Sequence, residues 1–217
     1  MRGDRALLFR RRLNADRFTS AKVTSLTNYN ADYLSESELH SLPFRQIGEG
    51  ILIDKSVSLV NIENISIGNN VRIDAFTMII ATGEINIGSH IHISAYCYLA
   101  GRAGIELNDF SNLSSGVRLY SISDDYSGAS LTNATVPERF KQLASGRVVL
   151  GRHVIIGSGT MVLPNVQVAV GCAIGALSLV NKSTEAWGVY AGAPVRRIRD
   201  RSRQLLLLEE RYLRSIG

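Results

Sequence analysis

The chain is poor in the residues that build several common classes of protein. It has two cysteines in 217 residues, Cys97 and Cys172, too few for a disulfide framework, so buried free thiols in a reducing compartment are expected. No run of eighteen apolar residues occurs, which argues against a membrane-spanning helix. The N-terminal MRGDRALLFRRRLNADRF is broken by charge before the apolar stretch of a signal peptide forms, and a cytoplasmic, soluble protein is the expectation. A uniform basic surface is also missing. The 24 Lys and Arg outnumber the 19 Asp and Glu, but residues 1–22 hold seven basic against two acidic groups and residues 194–217 hold seven against three. The middle is therefore acidic on balance, which is not the footprint of a nucleic-acid-binding surface.

What the chain does have is repetition. Ile47-Gly48, Ile67-Gly68, Ile87-Gly88 and Leu107-Asn108 return every twenty residues. A finer beat runs inside and beyond these units: an aliphatic residue every six positions through Leu150, Ile156, Val162, Val168, Ile174 and Val180. A small or aliphatic residue stands four further on, at Val154, Thr160, Val166, Cys172 and Ser178. Six is neither the 3.6 period of a helix nor the unbroken alternation of a long strand. Short strands joined by sharp corners fit it, with one aliphatic side chain per hexad pointing inward and Gly or Asn at the corners. The expected fold is all-β, a triangular parallel solenoid of about seven coils over residues 47–180. Its earlier coils are two residues longer, a bulge at one corner.

The ends read differently. Ser35 and Glu38 stand at capping-box spacing before Leu39 and Leu42, with Pro43 as a stop, so a short helix is expected to cover the first coil. RSRQLLLLEERYLRSI is an amphipathic helix whose expected place is over the last coil. The domain reading is a basic tail over residues 1–32, a solenoid over 33–193 and a basic C-terminal helix over 194–217.

With GRHVIIGSGTMVLPNVQVAVGCAIGALSLVNKS and WGVYAGAPVRRIR, the hexads resemble the hexapeptide-repeat acyltransferases. The resemblance covers about residues 33–203 and implies a left-handed parallel β-helix acting as a homotrimer on acetyl-CoA, with active sites between subunits. SISDDYSGASLTNATVPERF is similar to the subset that acetylates sugars for surface polysaccharides such as O-antigen, including nucleotide-linked amino-sugar N-acetyltransferases. Motif by motif, the resemblance puts Gly157, Ser158, Ala176, Asn181, Lys182, Arg196 and Arg199 on the coenzyme. Physical chemistry supports part of that set, because a 3′-phosphate needs a basic anchor and Arg196 and Arg199 offer fork-shaped donors. Trp187 is read either as a stacking partner for adenine or as a corner plug.

The excursion over residues 120–146 is too long for a corner and is read as an acceptor loop. Galactoside- and maltose-type relatives start this loop with a histidine, the general base for a sugar hydroxyl, whereas this chain has Asp124 there. A sugar hydroxyl with a pKa of about 15 needs a strong base, and a carboxylate near 4 is poorly matched to it. An amino-sugar nitrogen with a pKa of roughly 8 is already partly neutral, so N-acetylation is favoured over O-acetylation. Asp124 and Asp125 are the candidate catalytic carboxylates, with an Asx-type turn as the alternative. His92 is a rival base. Asn112, Tyr126 and Asn133 are candidate acceptor contacts, and backbone N–H groups near Gly157 and Ser158 are candidate oxyanion donors. No metal is expected: a γ-carbonic-anhydrase-like site needs three converging histidines, and His90, His92 and His153 do not supply that spacing. A scaffold using the solenoid only for shape is the non-enzymatic alternative.

Overall fold

An aliphatic side chain at every sixth position can be buried along a whole chain only if each coil repeats the last in register, and the computed structural model shows this stacking. It describes residues 32–216; the expected basic tail over 1–32 lies almost wholly outside them. Three faces run along the solenoid, with six, eight and six strands, all parallel except the last strand of the second face. The first face begins with Gln46–Ile47, the second with Leu52–Ile53 and the third with Ser58–Val60. Along the first face Ile65, Ile85, Ile105 and Val148 pair directly, and along the second Ile53, Ile73, Ile93, Leu113, Ile156 and Ile174 form one column. All but Ile174, at 3%, are no more than 1% exposed. The small second residues of the hexads, Val154, Thr160, Val166, Cys172 and Ser178, are buried beside them. The two extra residues of the early coils lie between the third and first faces, as a comparison of Leu59 to Ser66 with Val162 to Gln167 shows.

The corners demand left-handed backbone, and the chain meets that demand mostly without glycine. Asn70, His90, Phe110, His153 and Trp187 take φ between 55° and 61° at the first corner. Phe76 and Tyr96 take 58° and 63° at the second. The Trp187 ring packs against its corner: a Cβ on Gly171 would meet it at 2.5 Å, and Arg203 Cζ stands 5.1 Å from the ring centroid.

Helix α1, Glu36–Ser41, carries the expected capping box: Ser35 N–H donates to Glu38 Oε2 at 2.7 Å, and Glu38 N–H to Ser35 Oγ at 3.3 Å. Its Leu39 joins the core next to the first coil, as expected. The C-terminal segment departs from the expected helix over 194–217. Arg196–Asp200 forms an antiparallel strand on Gly188–Ala191, which pairs the exposed edge of the second face. Helix α2, Leu205–Ile216, does not cover the last coil but turns back along the first corner.

The reason is a polar anchor that hydrophobic patterning does not reveal. Arg201 donates to the carbonyls of His153, Gly171 and Cys172 at 2.7–3.1 Å. Glu209 then takes Arg152 and the His153 ring, the latter at 2.8 Å. Tyr212 meets His90 and the edge of Phe110, whose ring is stacked between His90 and His153. Burial, with Arg152 and Arg201 nearby, pushes the His153 pKa down.

Ile93→Ala is expected to cost about 2–5 kcal/mol in denaturant unfolding, the usual range for an aliphatic side chain deleted from a packed core. Glu209→Ala should speed amide hydrogen exchange across Leu205–Ile216 while leaving exchange in the coils unchanged.

Candidate active site

The long loop, expected to hold the acceptor, leaves the third corner after Arg118–Tyr120 and returns at Val148–Leu150. A short antiparallel pair, Ile122–Ser123 with Ala144–Ser145, closes its stem. Inside, Leu131 N–H bonds Phe140 O at 3.0 Å, Gln142 N–H bonds Ser130 Oγ at 3.0 Å, and Arg102 holds Glu138 to the body of the solenoid. The loop is therefore an ordered excursion.

The two adjacent carboxylates have different fates. Asp125 accepts from Ser127 N–H at 2.8 Å, Ser130 N–H at 3.0 Å and Ser130 Oγ at 3.1 Å. These bonds, those from Ser127 first, hold its pKa down at about 2. It makes the Asx-type turn, and so stable a carboxylate is a poor proton acceptor. Asp124 is half-buried, and its carboxylate takes no hydrogen bond among the described residues. It lines a groove of about 510 Å³ with Asp125, Tyr126, Leu163, Pro164 and Asn181. Asn133 is a turn-former: at φ 74° its Oδ1 accepts from Thr135 N–H at 2.8 Å and Oγ1 at 2.6 Å.

A second cluster lies on the outer side of the second face. His92 and Asn112 are register neighbours, and Arg72 stands one coil before His92. Asp74 joins them, bound to His92 Nε2 at 2.7 Å and accepting from Arg72 Nε at 2.6 Å, with Tyr33 OH at 3.5 Å. Burial raises the Asp74 pKa, but the bonds to His92 and Arg72 outweigh it and keep the carboxyl below its usual range. With its Nε2 committed to Asp74, His92 has no partner on Nδ1 among the described residues. The sequence reading missed Asp74 and Arg72, although the twenty-residue register already places Arg72, His92 and Asn112 in one column. His92 does not line the groove that holds Asp124.

The coenzyme candidates spread along the second and third corners. Gly157 allows close coil packing, since a Cβ there would meet Ala176 N at 2.4 Å. Its N–H is spent on Ile174 O at 2.8 Å and is no oxyanion donor, which corrects the expectation for that residue. Ser158 and Ala176 are exposed residues one coil apart, and their N–H groups make no hydrogen bond among the described residues. Asn181 and Lys182 are exposed at the third corner. Arg196 sits opposite Ala191 and Arg199 opposite Val189, both exposed on the antiparallel strand. Among the described residues no group of three or more His, Cys, Asp or Glu side chains is placed to hold a metal.

No family model matches the chain. Among curated proteins it is 43% identical over 178 residues to a dTDP-4-amino-4,6-dideoxy-D-glucose acyltransferase of Escherichia coli, covering 82% of this chain and 93% of the relative. Among solved structures it matches AntD, an N-acyltransferase from Bacillus cereus in complex with dTDP and 3-hydroxybutyryl-CoA. That match has a TM-score of 0.84 and 42% identity, and covers 86% of this chain and 99% of the other. A variant of the same enzyme, in complex with dTDP-4-amino-4,6-dideoxyglucose and coenzyme A, matches with a TM-score of 0.83 at 42% identity over 85% and 98% of the two chains. The parallel solenoid, the ordered loop with its free carboxylate and this similarity over nearly the whole described chain agree: the protein is an acyltransferase and belongs to the family of these nucleotide-amino-sugar N-acyltransferases.

Proposed function

We propose that the protein transfers an acetyl group from acetyl-CoA to the amine of a nucleotide-linked amino-deoxy sugar for a surface polysaccharide, working in the cytoplasm as a homotrimer with active sites between subunits. The observation that carries this reading is Asp124, a half-buried carboxylate without a hydrogen bond, in a groove where hydroxyl-acetylating relatives need an imidazole. The relatives' complexes with dTDP, an amino sugar and coenzyme A support the choice of acceptor.

The transfer is direct. The neutral amine attacks the thioester carbonyl, a C–N bond forms, and the C–S bond breaks as the coenzyme thiolate leaves. The amine proton passes to Asp124 directly or through a water, and the Ser158 N–H steadies the oxyanion. Asp125 contributes by pinning the loop. Arg196, Arg199 and Lys182 supply charge for the coenzyme phosphates, and the N–H groups of Ser158 and Ala176, unpaired among the described residues, suit its amides. Tyr126, Asn181 and Asn112 are acceptor or coenzyme contacts in this reading. O-acetylation is the second reading, favoured by one observation: Asp74 fixes the tautomer of His92 so that its Nδ1 is free to take a hydroxyl proton.

Thiol release from acetyl-CoA with nucleotide-linked amino sugars and their hydroxyl counterparts tests the reading; acetylation of the hydroxyl series alone overturns it. Asp124→Asn should lower kcat about 10²-fold or more without weakening coenzyme binding, as expected for loss of a proton acceptor. Asp125→Asn should instead loosen the loop. With its folded pKa depressed to about 2, the stabilisation from Asp125 is present above about pH 4 and lost as the pH falls through 2. Exchange protection of the Ser127 and Ser130 amides should follow that course in the native protein and be absent in the variant. Arg196→Ala with Arg199→Ala should raise KM for acetyl-CoA far more than for its dephospho form; equal increases would remove the 3′-phosphate assignment.

A further inference from the structure

Helix α2 is held to the first corner by a cluster whose charges balance only while one imidazole stays neutral. His153 stands at that corner with 7% of its side chain exposed, its ring 5.3 Å from that of Phe110 and its Nε2 2.8 Å from Glu209 Oε2. Glu209 is also taken by Arg152, whose Nη1 donates to Asp109 at 2.9 Å. Between the last strand and α2, Arg201 Nη1 donates to the His153 carbonyl at 2.7 Å. On the other side of the Phe110 ring lies His90, with Tyr212 OH 3.4 Å from its Nδ1. Apolar contact contributes little to this docking: no residue of α2 is buried, and Leu206, Leu207, Leu208 and Leu213 are 39% to 63% exposed. The polar cluster is therefore what holds the helix.

The charged groups around the His153 ring are two guanidiniums, Arg152 and Arg201, and two carboxylates, Asp109 and Glu209, with Tyr212 and His90 as the other titratable neighbours. An ionised carboxylate only accepts, so the neutral ring carries its proton on Nε2 and donates it to Glu209. The four charges then cancel. A second proton, on Nδ1, adds a third cation to a site shielded from water and creates an N–H with no acceptor among the described residues. Glu209 does not offset this, because Arg152 already shares it. Burial, then Arg152 and Arg201, accordingly hold the His153 pKa down, against a smaller opposing pull from Asp109.

We propose that the docking of α2 is a pH-sensitive latch: protonation of His153 releases Leu205–Ile216 from the first corner while the coils stay folded. Release takes away a wall. Leu205, Leu208 and Tyr212 line one side of a cavity of about 350 Å³ whose other side includes Asn112 and Ile155 of the second face, so that flank opens when the helix leaves. The direction follows from the cluster. In the released state His153 titrates near the ordinary value of about 6.5, and in the docked state below it. Docking is therefore at full strength above about pH 6.5 and is lost as the pH falls from there toward the docked value. The coils have no part in this, since their aliphatic columns carry no charge.

Amide hydrogen exchange of the full chain, read as protection factors between about pH 7.5 and about pH 5.5, tests this in the native protein, His153→Gln and His90→Gln. Glutamine keeps an N–H donor for Glu209 but takes no proton. In the native protein, protection across Leu205–Ile216 should fall up to about tenfold over that range, the most that one group with a released pKa near 6.5 supplies. The amides of Ile73, Ile93 and Leu113 should keep theirs. His153→Gln should make protection of the helix independent of pH, and His90→Gln should leave the native course in place. Helix protection that does not change with pH in the native protein overturns the proposal. So does a pH course that survives His153→Gln or vanishes in His90→Gln, which would put the sensor elsewhere, or a parallel loss in the coils, which would be acid unfolding. Proton NMR titration of the His153 ring in the native protein needs no variant: a midpoint below about 6.5 is expected, and one at or above it overturns the latch.

Discussion

Every part of this molecule answers to one constraint, the in-register stacking of parallel coils at a spacing of about 4.8 Å. A residue that faces inward has the equivalent residue of the next coil directly against it, which is why a single aliphatic column such as Ile53, Ile73, Ile93 and Leu113 is almost fully excluded from water. The same spacing governs the outside. Charges one coil apart are close enough to repel, so the first face interleaves Arg45, Glu84, Arg147 and Glu106 in one ionic ladder. Where backbones come closest, as at Gly157, there is no room for a side chain at all.

Stacking also decides how chemistry is displayed. On a solenoid, functional groups come in columns, and a residue acquires its partner from the coil before or after it. Asp74 and His92 meet in this way, as do Phe76 and Tyr96. The long loop over residues 120–146 escapes the rule because it has left the ladder, and its backbone must find other partners. Asp125 supplies them through its three bonds to Ser127 and Ser130, and Asp124, one residue earlier, is left uncommitted. Adjacent carboxylates in the sequence thus have different surroundings: one is held by the loop's own backbone, and the other lines the groove without a hydrogen bond among the described residues.

This distinction marks the limit of what the sequence disclosed. The six-residue beat, the bulge in the early coils and the Ser35–Glu38 capping box are local or periodic signals, and each has its counterpart in the structure. The departures concern partners that pattern does not specify. The leucine-rich face of α2 shows that the helix seeks a surface, but its docking along the first corner is fixed by Arg201 and Glu209, polar residues reaching carbonyls and side chains distant in sequence. Gly157 matches the family motif, yet whether its N–H is free depends on the strand stacked above it, where Ile174 O takes it. Asp74 went unnoticed because its link to His92 depends on the direction of two side chains as well as on register.

The division of the candidate residues between two places then acquires a meaning. Asp124 stands on the loop that leaves the third corner, in a groove with Leu163, Pro164 and Asn181, while His92 and Asn112 belong to the second face. The faces of a triangular prism turn away from one another; in the proposed mechanism a neighbouring copy, packed so that its second face meets this loop, brings the two groups together without moving any element. Three copies about a common axis would satisfy the requirement identically at every interface. In the proposed homotrimer the acceptor is then held against one chain while its proton acceptor comes from the next.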